Sequence, residues 1–524
     1  MERFMRVPSK RTAFGASALS GLLIASAFPP FGVWPLAFIG LIPLLWIWRT
    51  ATIWRGAWTG FVCGVFYFGV VLSWSWYFGA VAIVPLVATE ALYIAAVGAA
   101  FVSLRRLGAT SPLIIAAMWT LGEYLRGTWP LGGLAWGEVG TALSPLAAAR
   151  GLAGWTGVLG VTFAVVLLQA TALEALLKAD SRGSVQSSGE GRGARYNSRY
   201  NLLGIPIFII LLCLTAGLYV PKTRAVGSIK IAALQGNDLN RRLSANEIDN
   251  EILTEKHLAL ANGLTGDYDL IIFPESALMS DPEADPLLRS KIIAIAKRHN
   301  SFVLINAINR HENGLTYNTN RLYTNDGSLA GNYSKKHLVP FGEYVPWRSA
   351  LSFISALEQV PEDFTAGKSD QSNSTVFNLN GKKIGTLICF ESVFPELARG
   401  AVRSGAEVLV VSTNNRSYRR SANSAQHVQS SQMRSAETGR ALVQASISGI
   451  SAIIRPDGSI ESRTDLFETA IIKAQIPLRT GETPFVKYGP LVVKISALIV
   501  IAAVALGLRR RRLHPMPYRG DSSE

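Results

Sequence analysis

Cysteine is scarce: the 524 residues hold only Cys63, Cys213 and Cys389, the first two inside apolar runs and the third alone in the stretch of mixed composition from about 225 to 485. A disulfide framework is thereby excluded. Charge is also sparse, at 17% of residues against 49% hydrophobic ones, and the mean hydropathy of +0.25 is too high for an ordinary soluble protein of this length. No Gly-rich phosphate loop is present, and the six histidines are scattered, His337 having no His or Cys at ligand spacing. Neither a metal nor another cofactor is expected.

What the chain has instead is apolar length. Runs that cross or nearly cross a hydrocarbon core lie near 13–31, 33–48, 57–79, 80–103, 111–127, 155–177, 201–220 and 488–508, which predicts eight spans. The net charge of +15 then needs no nucleic acid, because Lys and Arg flank these runs as topology requires. Arg3, Arg6, Lys10 and Arg11 precede the first run, whereas the Pro29-Pro30 turn after it carries no basic residue. Arg49 and Arg55, Arg105 and Arg106, Lys178, Arg182, Arg192, Arg195 and Arg199, and finally Arg509 to Arg512 fall on the same side as the N-terminus. Both termini are predicted cytoplasmic, and the first run reads as a retained span, not a cleaved signal.

The expected organisation is a membrane domain over 1–220 with seven spans, an extracytoplasmic domain over 225–486, an eighth span over 487–508 and a basic cytoplasmic tail over 509–524. Residues 183–200 read as a flexible cytoplasmic loop. In the outward loop 128–154 and just after it, Trp129, Trp136 and Trp155 either anchor the chain at the interface or line a lipid access route. Glu90, Glu123 and Arg126 are too costly to face lipid and are expected inside the bundle or at its boundary.

From about 229 the pattern changes to short apolar strands, at 229–234, 269–273, 302–307, 384–390 and 408–412. Helical stretches at 245–262, 286–299, 394–404 and 423–440 alternate with them, which predicts an α/β domain. Polar residues at strand ends mark its chemistry. Glu275 follows Ile271-Ile272-Phe273-Pro274, Lys335 stands in Tyr333-Ser334-Lys335-Lys336, and Cys389 ends Leu387-Ile388-Cys389. Singly these are a loop carboxylate, a surface lysine and a small core residue. Together they are a thiol nucleophile, a carboxylate to take its proton and an ammonium to stabilise an oxyanion.

The order Glu275, Lys335, Cys389 with these flanks resembles the nitrilase superfamily. With the spans and His337-Leu338-Val339-Pro340-Phe341-Gly342-Glu343, the chain resembles the apolipoprotein N-acyltransferase family. Gln235-Gly236-Asn237, Thr413-Asn414-Asn415 and Arg434-Ser435-Ala436-Glu437-Thr438-Gly439-Arg440 extend the likeness over nearly the whole chain.

The resemblance implies an α-β-β-α sandwich facing the outer leaflet of a bacterial cell membrane. It also implies a two-step transfer: Cys389 takes an acyl group from a phospholipid, then passes it to the α-amine of an S-diacylglyceryl cysteine on an apolipoprotein. Glu343 and Glu391 are the further carboxylates it implies, with Tyr333 and Asn414 as surrounding residues. Asp238-Leu239-Asn240, Phe390 and Arg416-Ser417-Tyr418-Arg419-Arg420 depart from the family's usual residues; the stretches after Asn237 and Asn415 read as lipid-contacting loops. Arg416, Arg419 and Arg420 either meet anionic headgroups or are merely solvated. Two rivals share parts of this reading, a membrane-tethered amidase and a non-catalytic scaffold or transporter.

Overall fold

The computed structural model describes residues 7–513 apart from 109, 188–200, 238–246, 279, 312, 355–356, 359, 361 and 369–373. The readings of 188–200, of Asp238-Leu239-Asn240 and of the tail beyond 513 lie outside the described residues. In the first half run helices α1 (Lys10–Ser26), α2 (Ile42–Trp48), α3 (Ile53–Val71), α4 (Ala80–Arg106), α5 (Pro112–Arg126), α6 (Ala147–Thr156), α7 (Val158–Ser187) and α8 (Asn201–Leu218). The second half runs β1 (Arg224–Gln235), α9 (Glu247–Asn262), β2 (Leu270–Ile272), α10 (Pro286–Arg298), β3 (Phe302–Arg310), β4 (Thr316–Tyr323), β5 (Leu329–Ser334), β6 (Val376–Leu379), β7 (Lys382–Ile388), α11 (Pro395–Arg403), β8 (Val408–Thr413), α12 (Asn423–Thr438), β9 (Leu442–Ser446), β10 (Ala452–Ile454), β11 (Ile460–Arg463), β12 (Ala470–Thr480), α13 (Pro484–Tyr488) and α14 (Leu491–Leu513).

Among the described residues three helices are by themselves long and apolar enough to cross a membrane: α4, the Val158–Lys178 part of α7, and α14. The run 33–48 is not one helix. It is a 3-10 turn, Trp34–Phe38, and then α2. The break survives in an apolar setting because side chains satisfy the freed backbone groups. Gln169 on α7 accepts from the Leu41 N–H at 2.6 Å and donates to the Ala37 carbonyl at 3.0 Å, while Ser20 accepts from the Leu44 N–H. Other boundaries move too. The run 57–79 ends its helix at Val71 and finishes as a 3-10 turn, Ser73–Phe78; residues 183–187 extend α7; and α14 continues through Arg512.

Among the described residues, the flanking Arg49, Arg55, Arg105 and Arg510 gather at one end of the helices. Arg55 donates to the carbonyls of Pro8 and Ser9, Arg105 donates to the Ala51 carbonyl at 2.6 Å, Arg49 pairs with Glu174, and Arg510 lies beside Gly108. Glu90, Glu123 and Arg126 are buried in the bundle. Arg126 bonds Glu90 at 2.9 Å and the carbonyls of Leu134 and Trp136, and Glu123 accepts from Trp119, Val139 and Thr162.

Helices α3 and α4 touch backbone to backbone along Gly56, Gly60 and Gly64, which face Gly98, Ile94 and Ala91. A Cβ on Gly60 would lie 2.5 Å from the Ile94 carbonyl oxygen. Small residues at such spacing let apolar helices approach closely. Gly60→Leu is therefore expected to lower the unfolding midpoint in detergent by about 3 °C or more; an unchanged midpoint by differential scanning fluorimetry would remove this contact as a determinant of stability.

The second half is a four-layer sandwich. One sheet has the order β12-β1-β2-β3-β4-β5 and the other β11-β10-β9-β8-β7-β6, with β1, β2 and β3 parallel in the first and β7, β8 and β9 parallel in the second. Alternate residues of each strand point to opposite faces. Ile229, Ile231, Leu270, Leu304, Ile388, Val410 and Val443 thus fill the space between the sheets. The other faces are covered by α9 and α10 on one side and by α11 and α12 on the other.

Candidate active site

The C-terminal ends of β2, β5, β7 and β8 lie at one end of the two sheets, where parallel strands leave loops free to carry chemistry. Cys389 follows β7 directly, in a left-handed conformation at φ +48° that an L-residue adopts only under constraint. The constraint is Glu391. Its Oε2 accepts from the Ile388 N–H at 2.8 Å, and its Oε1 accepts from the Tyr333 hydroxyl at 2.9 Å and from the backbone N–H groups of Lys336 and His337. One buried carboxylate thus ties the thiol's turn to the lysine's loop.

Lys335, buried, sends its Nζ to Glu343 Oε1 at 2.9 Å and stands 3.7 Å from Glu275 Oε1. Asn318 on β4 donates from one amide nitrogen to both carboxylates, at 2.8 Å to Glu275 and 3.0 Å to Glu343. The second oxygen of Glu275 accepts from the Asn414 N–H at 2.8 Å, and the second oxygen of Glu343 from the Val339 N–H at 2.8 Å. Thr413 Oγ1 donates to Cys389 Sγ at 3.3 Å, and the Glu275 carboxylate acts on that thiol electrostatically. All three residues singled out as chemical therefore meet, with Glu343, Glu391, Tyr333 and Asn414 around them. Asn414 contributes its backbone N–H; its side chain turns to the Arg416 N–H.

Burial dominates the protonation of the cluster. It pushes the Cys389 thiol up to about 12, with the Glu275 carboxylate adding to the shift and the Lys335 ammonium opposing it. The thiol rests protonated and needs a base. Burial also raises Glu275, against the pull of Lys335, while Lys335 itself is raised because Glu343 and Glu275 outweigh its burial. The arrangement can deprotonate a thiol as it attacks and hold a cation beside the oxygen that gains charge.

The family description "Apolipoprotein N-acyltransferase N-terminal domain" matches residues 20–171, and "Carbon-nitrogen hydrolase" matches 230–484. The apolipoprotein N-acyltransferase of Pseudomonas paraeruginosa is 30% identical over 551 residues, covering 98% of both chains. The chain belongs to the apolipoprotein N-acyltransferase family. A second member, from Geobacter metallireducens, is 28% identical over 98% of each chain. The two matched regions of this family member divide where the helices give way to the sandwich.

Three contributors to the site of this apolipoprotein N-acyltransferase family member escape sequence reasoning, Asn318, Gln426 and His427, while Thr413 is legible only as part of the Thr413-Asn414-Asn415 motif. His427, buried on α12, faces the Cys389 carbonyl at 3.1 Å and Ser392 Oγ at 2.6 Å; burial lowers it to about 4, so it is neutral. Gln426 beside it fastens the site to the helices. Its Oε1 accepts from the indole N–H groups of Trp74 and Trp136, and its Nε2 donates to the carbonyls of Pro29 and Val71. Trp136 is accordingly buried, not interfacial, whereas Trp129 and Trp155 are exposed. Farther along α12, Glu437 accepts from the Val158 N–H at 2.7 Å and so caps α7, the long apolar helix. His337 stacks on Phe394 with ring centroids 3.6 Å apart and presses on Gly132, where a Cβ would come within 2.8 Å of its ring.

Proposed function

We propose that this chain N-acylates apolipoproteins in two steps at Cys389. In the first, Sγ attacks a fatty ester carbonyl of a membrane phospholipid while Glu275 takes the thiol proton and Lys335 stabilises the oxyanion. The ester C–O bond breaks, the proton passes to the leaving oxygen, and a lysophospholipid departs. In the second, the neutral α-amine of an S-diacylglyceryl cysteine attacks the thioester; the C–N bond forms, the C–S bond breaks, and Glu275 returns the amine's proton to Sγ. Thioester energy drives amide formation without a further cofactor.

The observation that carries this reading is the joining of the thiol cluster to the apolar helices through Gln426, Trp74 and Trp136. A hydrolase of small amides has no use for that seat; a lipid donor and a lipidated acceptor both do. The basic residues at the opposite end of the helices favour a cytoplasmic side there and an extracytoplasmic catalytic domain.

Intact-mass measurement of the full chain in phospholipid micelles tests it. An acyl adduct forms on wild type and disappears as an added diacylated lipopeptide gains one fatty amide. No adduct and no product would sink the proposal. The same assay has an expected pH profile. Glu275 must be ionised to accept the proton and its pKa is raised above 4.5, so adduct formation declines with falling pH, its midpoint above that value. A rate that stayed level down to about pH 4.5 would remove Glu275 as the base.

A further inference from the structure

The loop leaving β8 carries charges that the acyl transfer itself does not use. Arg416–Tyr418 makes one 3-10 turn, and Tyr418 sets its ring edge-on against Trp74 and Phe78, at 5.0 and 5.6 Å. That packing brings the next residue over the helix-bearing half of the chain. Arg419, at φ +48°, lays its guanidinium 5.3 Å from the centre of the Tyr77 ring, and Arg420 lies 5.1 Å from the centre of Phe467. Both arginines are exposed, and among the described residues no carboxylate pairs with either. The stretch 413–426 contains no acidic residue. Trp76, Tyr77 and Phe78 are 63, 44 and 37% exposed. Aromatic surface and cations that no described carboxylate pairs with therefore share the loop that leaves the site.

That pairing of chemistries matches the headgroup region of a leaflet, where indole and phenol rings settle and phosphates lie. A guanidinium held near an aromatic ring still has N–H donors to offer a phosphate. The same loop begins at Thr413 and Asn414, which contact Sγ and Glu275. In a glycerophospholipid only the glycerol carbons separate the scissile ester from the phosphodiester, so a headgroup subsite belongs near the thiol. We propose that Arg419 and Arg420 form this subsite and make anionic glycerophospholipids the preferred acyl donors. Two cations favour a net negative headgroup and repel the ammonium of a zwitterionic one. The inference rests on the acyltransferase reading above.

The test uses the full chain in detergent micelles, a diacylated lipopeptide acceptor, and phosphatidylglycerol or phosphatidylethanolamine with identical acyl chains. Wild type is expected to favour the glycerol lipid in kcat/KM by roughly 10- to 30-fold, and to lose part of that preference as ionic strength rises. In R419Q/R420Q the ratio collapses toward one through a higher KM for the anionic donor, and R419K/R420K retains most of it. A wild-type ratio near one, or a preference indifferent to both salt and the glutamine variant, overturns the subsite. Transfer from neither lipid by wild type overturns the acyltransferase reading and the subsite with it.

Discussion

Cys389→Ala is expected to abolish both the acyl adduct and the lipopeptide product, a loss of about four orders of magnitude or more in rate. The side chain is small and its turn is held from outside by Glu391, so the fold should persist: Glu391 keeps its bonds to Ile388, Tyr333, Lys336 and His337 without the thiol. The informative comparison is the unfolding midpoint beside the intact mass. A variant that melts like wild type yet never gains acyl mass places the bond-forming atom at Sγ. Persistent product from that variant would move the nucleophile elsewhere.

Lys335→Met should cost activity and stability together, and the two can be separated. The ammonium lies between Glu275 and Glu343, both near-buried, at 3.7 and 2.9 Å. Removing one partner from such a buried cluster typically costs about 3–5 kcal/mol, because the remaining charges lose their compensation. Loss of an oxyanion donor removes a further factor of about 10² to 10³ in rate. Adding Glu343→Gln to Lys335→Met relieves one of the stranded carboxylates, so thermal stability should recover in part while adduct formation stays lost. If the double variant regained acylation, Lys335 would be a scaffold residue and not a participant.

Much of the catalytic half was legible because its signals are local. Apolar runs at 229–234, 269–273, 302–307, 384–390 and 408–412 coincide with β1, β2, β3, β7 and β8, and the four helical stretches with α9 to α12. These five strands are largely apolar, whereas strands left unread, such as β4, β5 and β11, carry more polar residues. Asn318 shows why. It stands in Thr316–Tyr323, a stretch mixed enough to pass for loop, and its value comes from cross-strand register: Asn318 lies opposite Ile308, and its amide reaches two carboxylates from other loops.

The membrane half was harder for the same reason. Hydropathy marks how much apolar chain there is, not where a helix breaks. The interruption before α2 depends on Gln169, 128 residues away in sequence from the Leu41 amide it satisfies. Trp136 reads by composition as a headgroup anchor or as lining for a lipid route, and the acceptor on Gln426 accounts for its burial.

Helix α12 has the Cys389 carbonyl at His427, the tryptophan-bearing loops at Gln426 and the N-terminus of α7 at Glu437. One helix therefore joins the N-terminus of a bilayer-length helix at one end to the backbone of the nucleophile at the other. Helices tilt to match the thickness of the hydrocarbon around them. A change in the thickness of the surrounding bilayer is accordingly expected to reach the Cys389 backbone through this one helix, separately from the identity of the lipid being cleaved.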